Sequence, residues 1–270
     1  MRLIASDIDG TILGHDGKIS PRTIRAFRAA ADAGVEIVFV TGRPPRWLDP
    51  LREQIGHTGM VICSNGAVVY DLVSERVTSS HLLPLASVLQ AREIIKELVP
   101  DSVFAVETLD GFHLEPGFLE PGALDLLAHI TPAPLQETVT AKSAVVKLLA
   151  VTRGSSADAF LAKVRPSVDR LLAVTHSAAV TAMLEMGPHG INKAVTLADY
   201  AASRGIAARD VVAFGDMPND IEMLRWAGAG YAMASGHERA RAATALQAPD
   251  FSDDGVAQVL EARLAGLTKA

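Results

Sequence analysis

The chain has 270 residues, 49% of them hydrophobic, and a formal net charge of −6. That length allows one large or two ordinary domains, the hydrophobic share excludes disorder, and the negative balance argues against nucleic acid or an anionic membrane as partner. The one cysteine, Cys63, excludes an internal disulfide and fits a reducing compartment. The start, Met1 to Asp7, is too quickly acidic for a signal peptide, and no apolar run reaches the length of a membrane span. A cytoplasmic protein is expected.

In chain order, Leu3-Ile4-Ala5 reads as a buried parallel strand running directly into Asp7-Ile8-Asp9-Gly10-Thr11. A loop follows, with Gly14, Asp16 and Gly17. Ser20-Pro21 then predicts an N-cap and first helical position, with Ile24, Phe27 and Ala31 at helical spacing and Gly34 as the stop. Val35 to Val40 is the next strand, ending in Thr41-Gly42-Arg43. A second helix is expected from Pro44-Pro45 to just before Gly56. Met60 to Cys63 is a third strand, closed by Ser64-Asn65-Gly66. Strand–helix–strand–helix–strand is the pattern of a doubly wound parallel sheet, with each strand's polar end on one edge.

The pattern then changes. Ala67 to Tyr70 and Arg76 to Ser79 read as a hairpin. A helix is expected at 86–98, strands at 103–106 and 112–114, and a stretch punctuated by Pro and Gly at 116–134. Another strand (144–151), a helix (157–168) and strands at 171–175 and 180–186 complete an α+β insert. The doubly wound pattern resumes with a helix from Asn192-Lys193 to Ala202. Strand Val211 to Phe214 follows, opening into Gly215-Asp216-Met217-Pro218-Asn219-Asp220, whose Pro218 sits where a helix should begin. A short strand at 231–233, a helix around 238–245 and a C-terminal helix after Asp254-Gly255 end the chain. The expected architecture is a Rossmann-like α/β core from 1–81 and 188–270, with a second domain, 82–187, inserted into it.

Four clusters of polar residues therefore fall at strand ends or helix starts on one sheet edge: Asp7 with Asp9, Thr41, Lys193, and Asp216 with Asp220. Open α/β sheets bind ligands there. Asp7 and Asp216 are oxygen donors suited to Mg²⁺, which takes few carboxylates and keeps several waters. The hydroxyl and N–H of Thr41 and the ammonium of Lys193 suit the oxygens of a phosphoryl group. Phosphoryl transfer needs an in-line nucleophile, charge neutralisation and a proton for the leaving oxygen. Asp7 is placed to attack, and Asp9 to act as acid and then base.

These segments, Asp7-Ile8-Asp9-Gly10-Thr11, Val40-Thr41-Gly42-Arg43, Ile191-Asn192-Lys193 and Gly215-Asp216-Met217-Pro218-Asn219-Asp220, resemble the four ordered motifs of the haloacid dehalogenase superfamily. Ser64-Asn65-Gly66-Ala67, the large insert and Asp254-Gly255-Val256 are similar to its Cof-type branch with a type IIB cap. The resemblance implies Mg²⁺-dependent hydrolysis of the phosphate monoester of a small metabolite, sugar-phosphate-like, through an aspartyl phosphate. It makes Asp7 nucleophile and metal ligand, and Asp9 the acid/base that lends the metal its backbone carbonyl. Asp216 becomes a metal ligand, and Thr41, Gly42, Lys193 and Asn219 the phosphate site. Asp220, Arg43 and Asn65 support them. One departure is local: Asn192 and Ala194 flank Lys193 where many relatives carry a small residue before the lysine and glycine after it.

Taken singly, each motif has a plainer reading: an acidic turn, a strand-to-helix cap, a solvated lysine, an acidic helix N-terminus. Their joint occurrence in order favours a catalytic site. Arg43 either reaches substrate or forms a surface ion pair, and Asn65-Gly66 is also a common turn signal. His113, His176 and His189 show no metal-ligand spacing, and Trp47 reads as packing. A phosphotransferase or mutase with the same nucleophile, and a non-catalytic phospho-ligand sensor, are the alternatives. Substrate identity and oligomeric state are not legible.

Overall fold

The computed structural model describes residues 1–14, 16–56, 59–119, 130–177 and 181–267. The chain divides into two compact units, one of residues 1–79 with 192–270 and one of residues 80–191. Among the described residues no helix is long and apolar enough to cross a membrane.

The first unit is built on strands β1 (Leu3–Ser6), β2 (Glu36–Val40), β3 (Met60–Cys63), β4 (Val68–Asp71), β5 (Arg76–Ser80), β11 (Val211–Gly215), β12 (Ala229–Met233) and β13 (Leu246–Ala248). Among the described residues they form an eight-stranded sheet in the order β13-β12-β11-β1-β2-β3-β4-β5. The pairings from β13 through β3 are parallel, and β4 returns antiparallel on β3. Strands buried on both faces need no alternation, which is why Leu3-Ile4-Ala5 and Ile37-Val38-Phe39-Val40 read as nearly continuous apolar runs.

Helices cover both faces. Helix α1 (Pro21–Asp32) starts as its sequence dictates: Ser20 Oγ accepts the N–H of Thr23 at 3.0 Å, with Pro21 at the first helical position. Its stripe of Thr23, Ala26, Phe27 and Ala30 is buried, with Phe27 edge-on to Phe39 at 5.4 Å. On the opposite face α6 (Lys193–Ser203) and α7 (Ile221–Trp226) pack Ala194, Leu197, Ala201, Met223 and Leu224 against Leu3, Ala5, Val38, Val40, Val211 and Ala213. Helix α9 (Gly255–Leu267) lies against α1. Chain order reverses between β1 and β11, so their carboxyl ends flank the crevice where the sheet's winding switches direction.

Within the second unit, β7 (Phe112–Leu114), β6 (Val103–Thr108), β8 (Val145–Thr152), β10 (Ala182–Gly187) and β9 (Ala173–Thr175) form an antiparallel sheet in that order. Helices α3 (Leu85–Leu98) and α5 (Ala157–Val168) bury Val88, Ala91, Ile95, Phe160 and Val164 against Phe104, Leu148, Ala150 and Leu184. The other sheet face carries Ala105, Leu149 and Val151 beside a buried ion-pair group, Lys147 Nζ at 2.8 Å from Glu185 and 3.4 Å from Glu107.

Three local expectations change. The helix expected over 44–55 is two pieces, a 3-10 turn Pro45–Trp47 and α2 (Asp49–Ile55). Pro50 has no N–H to give a helix begun at 45, and it is accommodated in the first turn of a new one. The helix expected over 238–245 stops early as α8 (Glu238–Arg241), because the chain beyond it is captured by the sheet edge as β13, in parallel register with Tyr231 to Met233. A short helix α4 (Leu135–Thr138) directly follows the stretch punctuated by Pro and Gly, where no element was expected before the next strand; residues 120–129 of that stretch lie outside the described ones. Val180, expected to begin a strand, also lies outside them, and β10 runs from Ala182.

Candidate active site

Asp7 is the first residue past β1, Thr41 the first past β2, and Asp216 the first past β11. β1 pairs with β2 on one side and β11 on the other, Ser6 standing opposite Phe39 and Phe214. The three residues thus leave adjacent strands at the same edge of the sheet. Lys193 joins them from the first position of α6, whose start is fixed by Asn192: its Oδ1 accepts the N–H of Val195 at 2.9 Å. Asn192, one of the two residues that depart from the resembled motif, is itself a strong cap.

Lys193 is the centre of the cluster. Its ammonium lies 2.5 Å from Asp7 Oδ1 and 2.7 Å from Asp220 Oδ1, and the lysine is only 1% exposed. Asp220, fully buried, uses its other oxygen to accept the N–H groups of Asp216 and Met217, each at 3.0 Å. It thereby closes the turn after β11. Glycines allow the close approach. A Cβ at Gly10, whose φ is +75°, would lie 2.5 Å from Asp216 Oδ2, and one at Gly215 would meet the Asp220 side chain at the same distance.

Burial pushes the Asp7 carboxyl up to about 7, with Asp220 and Asp9 adding to the effect and Lys193 opposing it. Burial likewise pushes Asp216 up to about 9, reinforced by Asp7 and Asp220. Burial works against the charge on Lys193, yet Asp220 and Asp7 hold it above the ordinary lysine value. One ammonium therefore serves a crowd of carboxylates, and the deficit of positive charge falls on Asp7 and Asp216.

That deficit is what a cation would fill. Asp7, Asp216 and Asp220 each offer a carboxylate oxygen, and the three oxygens lie within 4.8 Å of one another. Both oxygens of Asp220 are engaged, one by Lys193 and the other by two N–H groups, whereas Lys193 meets only one oxygen of Asp7, so Asp7 and Asp216 are the carboxylates better able to hold such an ion. An all-oxygen donor set fits a hard divalent ion.

Other expected residues stand in pairs around this cluster. Arg43 forks onto Asp9, Nε to Oδ2 at 2.8 Å and Nη2 to Oδ1 at 2.6 Å, in a partly exposed pair. Asp9 is thus held by Arg43 and not by Lys193. Thr41 is buried and its Oγ1 accepts the N–H of Arg43 at 3.0 Å, with Gly42 half-buried between them. Asn219 Nδ2 donates to Asn65 Oδ1 at 3.0 Å. Two contributors carried no assigned role in the sequence. Thr11 Oγ1 donates to Asp216 Oδ1 at 3.3 Å, and the Asp216 carbonyl accepts the N–H of His237 at 2.7 Å. The position of Thr11, four residues after Asp7 in a tight turn, was the available signal for the first. The His237 contact depends on the chain folding back after β12 and had none.

Comparison with known proteins identifies the family. The family model for haloacid dehalogenase-like hydrolases matches residues 4–260. The chain is 30% identical to the 5-amino-6-(5-phospho-D-ribitylamino)uracil phosphatase YitU of Bacillus subtilis, over 96% of each chain. It is 27% identical to the pyridoxal phosphate phosphatase YbhA of Escherichia coli, over 97% of this chain and 98% of the relative. Among solved structures, SMU.1108c from Streptococcus mutans superposes with a TM-score of 0.84 at 22% identity, covering 98% of this chain and 99% of that one. A family model matched from residue 4 to residue 260 covers nearly the whole length, and the chain belongs to the haloacid dehalogenase-like hydrolase family.

Proposed function

We propose that this protein is a Mg²⁺-dependent phosphatase of small phosphorylated metabolites that works through an aspartyl phosphate on Asp7. The observation that carries the reading is the Lys193 ammonium lodged between Asp7 and Asp220, with Asp216 at the neighbouring strand end. The relatives act, by name, on pyridoxal phosphate and on a phosphorylated ribitylaminouracil, both small phosphate monoesters.

In this reading Asp7, Asp216 and the backbone carbonyl of Asp9 hold Mg²⁺, which when bound neutralises phosphoryl oxygens. A carboxylate oxygen of Asp7 attacks phosphorus in line with the ester oxygen. The P–O bond to the leaving group breaks as a new Asp7–phosphorus bond forms, and Asp9 gives the departing oxygen a proton. Asp9 then takes a proton from water, the resulting hydroxide displaces Asp7 from phosphorus, and inorganic phosphate leaves. For this work the Arg43 fork on Asp9 must open. Lys193, Thr41, the N–H of Gly42 and Asn219 hold the transferring group. Asp220 keeps Lys193 aimed at Asp7 and keeps the turn that carries Asp216 closed. The unit of residues 80–191 serves as the cap that selects the leaving group.

The test is release of inorganic phosphate from a panel of phosphorylated metabolites, including sugar phosphates and pyridoxal phosphate, with and without Mg²⁺. Steady metal-dependent release supports hydrolysis. Transfer only in the presence of a hydroxyl acceptor would make the protein a phosphotransferase, and binding without turnover would make it a sensor.

A further inference from the structure

The turn Ser64-Asn65-Gly66 links β3 to β4, and the family resemblance gives its Asn65 a supporting part without saying what that part is. Its backbone is unusual. Ser64, Asn65 and Gly66 all take positive φ, at 49°, 56° and 102°. Two successive non-glycine residues in the left-handed region are strained and persist only where surrounding structure holds them. Here the ties are explicit. The N–H of Ser64 reaches the Arg43 carbonyl and that of Asn65 the Thr41 carbonyl, both at 3.0 Å. Thr196 Oγ1 on α6 donates to the Gly66 carbonyl at 2.8 Å, and a Cβ on Gly66 would lie 2.4 Å from the carbonyl oxygen of Asn192. The turn is therefore fastened both to the loop after β2 and to the first turn of the helix that carries Lys193.

The Asn65 side chain adds a third connection, since its Oδ1 accepts from Asn219 Nδ2 at 3.0 Å. Asn219 is 6% exposed, and its own Oδ1 has no hydrogen-bond partner among the described residues. A primary amide carries two N–H donors and one carbonyl acceptor. With one N–H committed to Asn65, the rotation and the sense of the Asn219 amide are both set. Its second N–H is left to donate to a phosphoryl oxygen, and its buried carbonyl to accept from water.

We infer that Asn65 is a positioning residue: it orients the Asn219 amide for the phosphoryl group and ties that orientation to the Thr41 loop and the Lys193 helix. The inference rests on the phosphatase reading of the site. The plainer account is that asparagine occupies position 65 because it tolerates the left-handed conformation. Glycine tolerates it better still, so Asn65→Gly separates the two accounts without adding backbone strain.

The experiment compares wild type, Asn65→Gly, Asn219→Ala and the double variant, all Mg²⁺-loaded. Calorimetry measures the Kd for inorganic phosphate, which needs no turnover, and kcat/KM is measured on the best ester of the panel. Asn65→Gly is expected to melt like the wild type while phosphate affinity and kcat/KM each fall roughly tenfold or more. In the Asn219→Ala background the same change should add nothing, because the two residues act through one hydrogen bond. Wild-type affinity and kcat/KM in Asn65→Gly, or losses that multiply in the double variant, overturn the inference. Coupled losses in phosphate affinity with no turnover by the wild type would uphold the positioning role and refute hydrolysis.

Discussion

Metal binding at this site should expel protons, because burial and crowding hold the two carboxyls partly protonated without it. With Asp7 pushed up to about 7 and Asp216 to about 9 by burial and by their neighbouring carboxylates, the metal-free protein at pH 7 holds protons on this pair. A divalent cation takes both groups as carboxylates, so its binding at pH 7 releases protons, on the order of one per ion. Titration calorimetry with Mg²⁺ in buffers of different ionisation enthalpy measures this number directly as a slope. The release should shrink toward pH 10, where both groups are already ionised, and Asp216→Asn should remove most of it at pH 7. The same groups set the sign of a stability effect. Their folded-state values lie above the ordinary 3.8, so from about pH 4 upward the native state binds more protons than the unfolded chain. Their contribution is complete at low pH and is lost as pH rises, through about 7 for Asp7 and about 9 for Asp216. Saturating Mg²⁺ should flatten that decline. Mg²⁺ binding at pH 7 with no net proton release would refute the placement of the metal on these two carboxylates.

Further outcomes are open to measurement. Asp7→Asn should lower kcat by on the order of 10³-fold or more while the protein stays folded, since it removes the nucleophile and neutralises a buried charge; wild-type phosphate release by this variant would reassign the nucleophile. Lys193→Met leaves Asp7 and Asp220 buried without their ammonium, and the metal-free protein should lose about 3 kcal/mol. Because Asp7 can take up a proton, the loss in denaturant titrations should be smaller at pH 5 than at pH 8; equal stability of variant and wild type at pH 8 would contradict the ion-pair account. Gly10→Ala puts a Cβ 2.5 Å from Asp216 Oδ2 at a φ of +75°, so Asp216 must shift. Calorimetry should show Mg²⁺ affinity reduced by roughly tenfold, and unchanged affinity would show that Asp216 does not depend on this contact.

What the amino-acid order alone determined is whatever local rules govern. Ser20-Pro21 and Asn192 start their helices because a side-chain acceptor three residues before an orphan N–H is a local matter. Unbroken apolar runs mark strands buried on two faces, and alternation of such strands with helices leads to a parallel sheet whose carboxyl edge collects Asp7, Thr41 and Asp216. That much of the site follows from connectivity. Other features needed tertiary partners. β13 is three residues with no periodic signal, and only the open edge of β12 makes it a strand. Asp9 sits two residues from Asp7, yet the fork of Arg43 across the strand ends decides where its carboxylate points. No spacing rule reveals that Lys193 lies between Asp7 and Asp220, residues 186 and 27 positions away, or that Asn65 meets Asn219 across 154. Hydrogen bonds and desolvation act over a few ångströms of space, and once a chain folds, nearness in sequence no longer measures nearness in space.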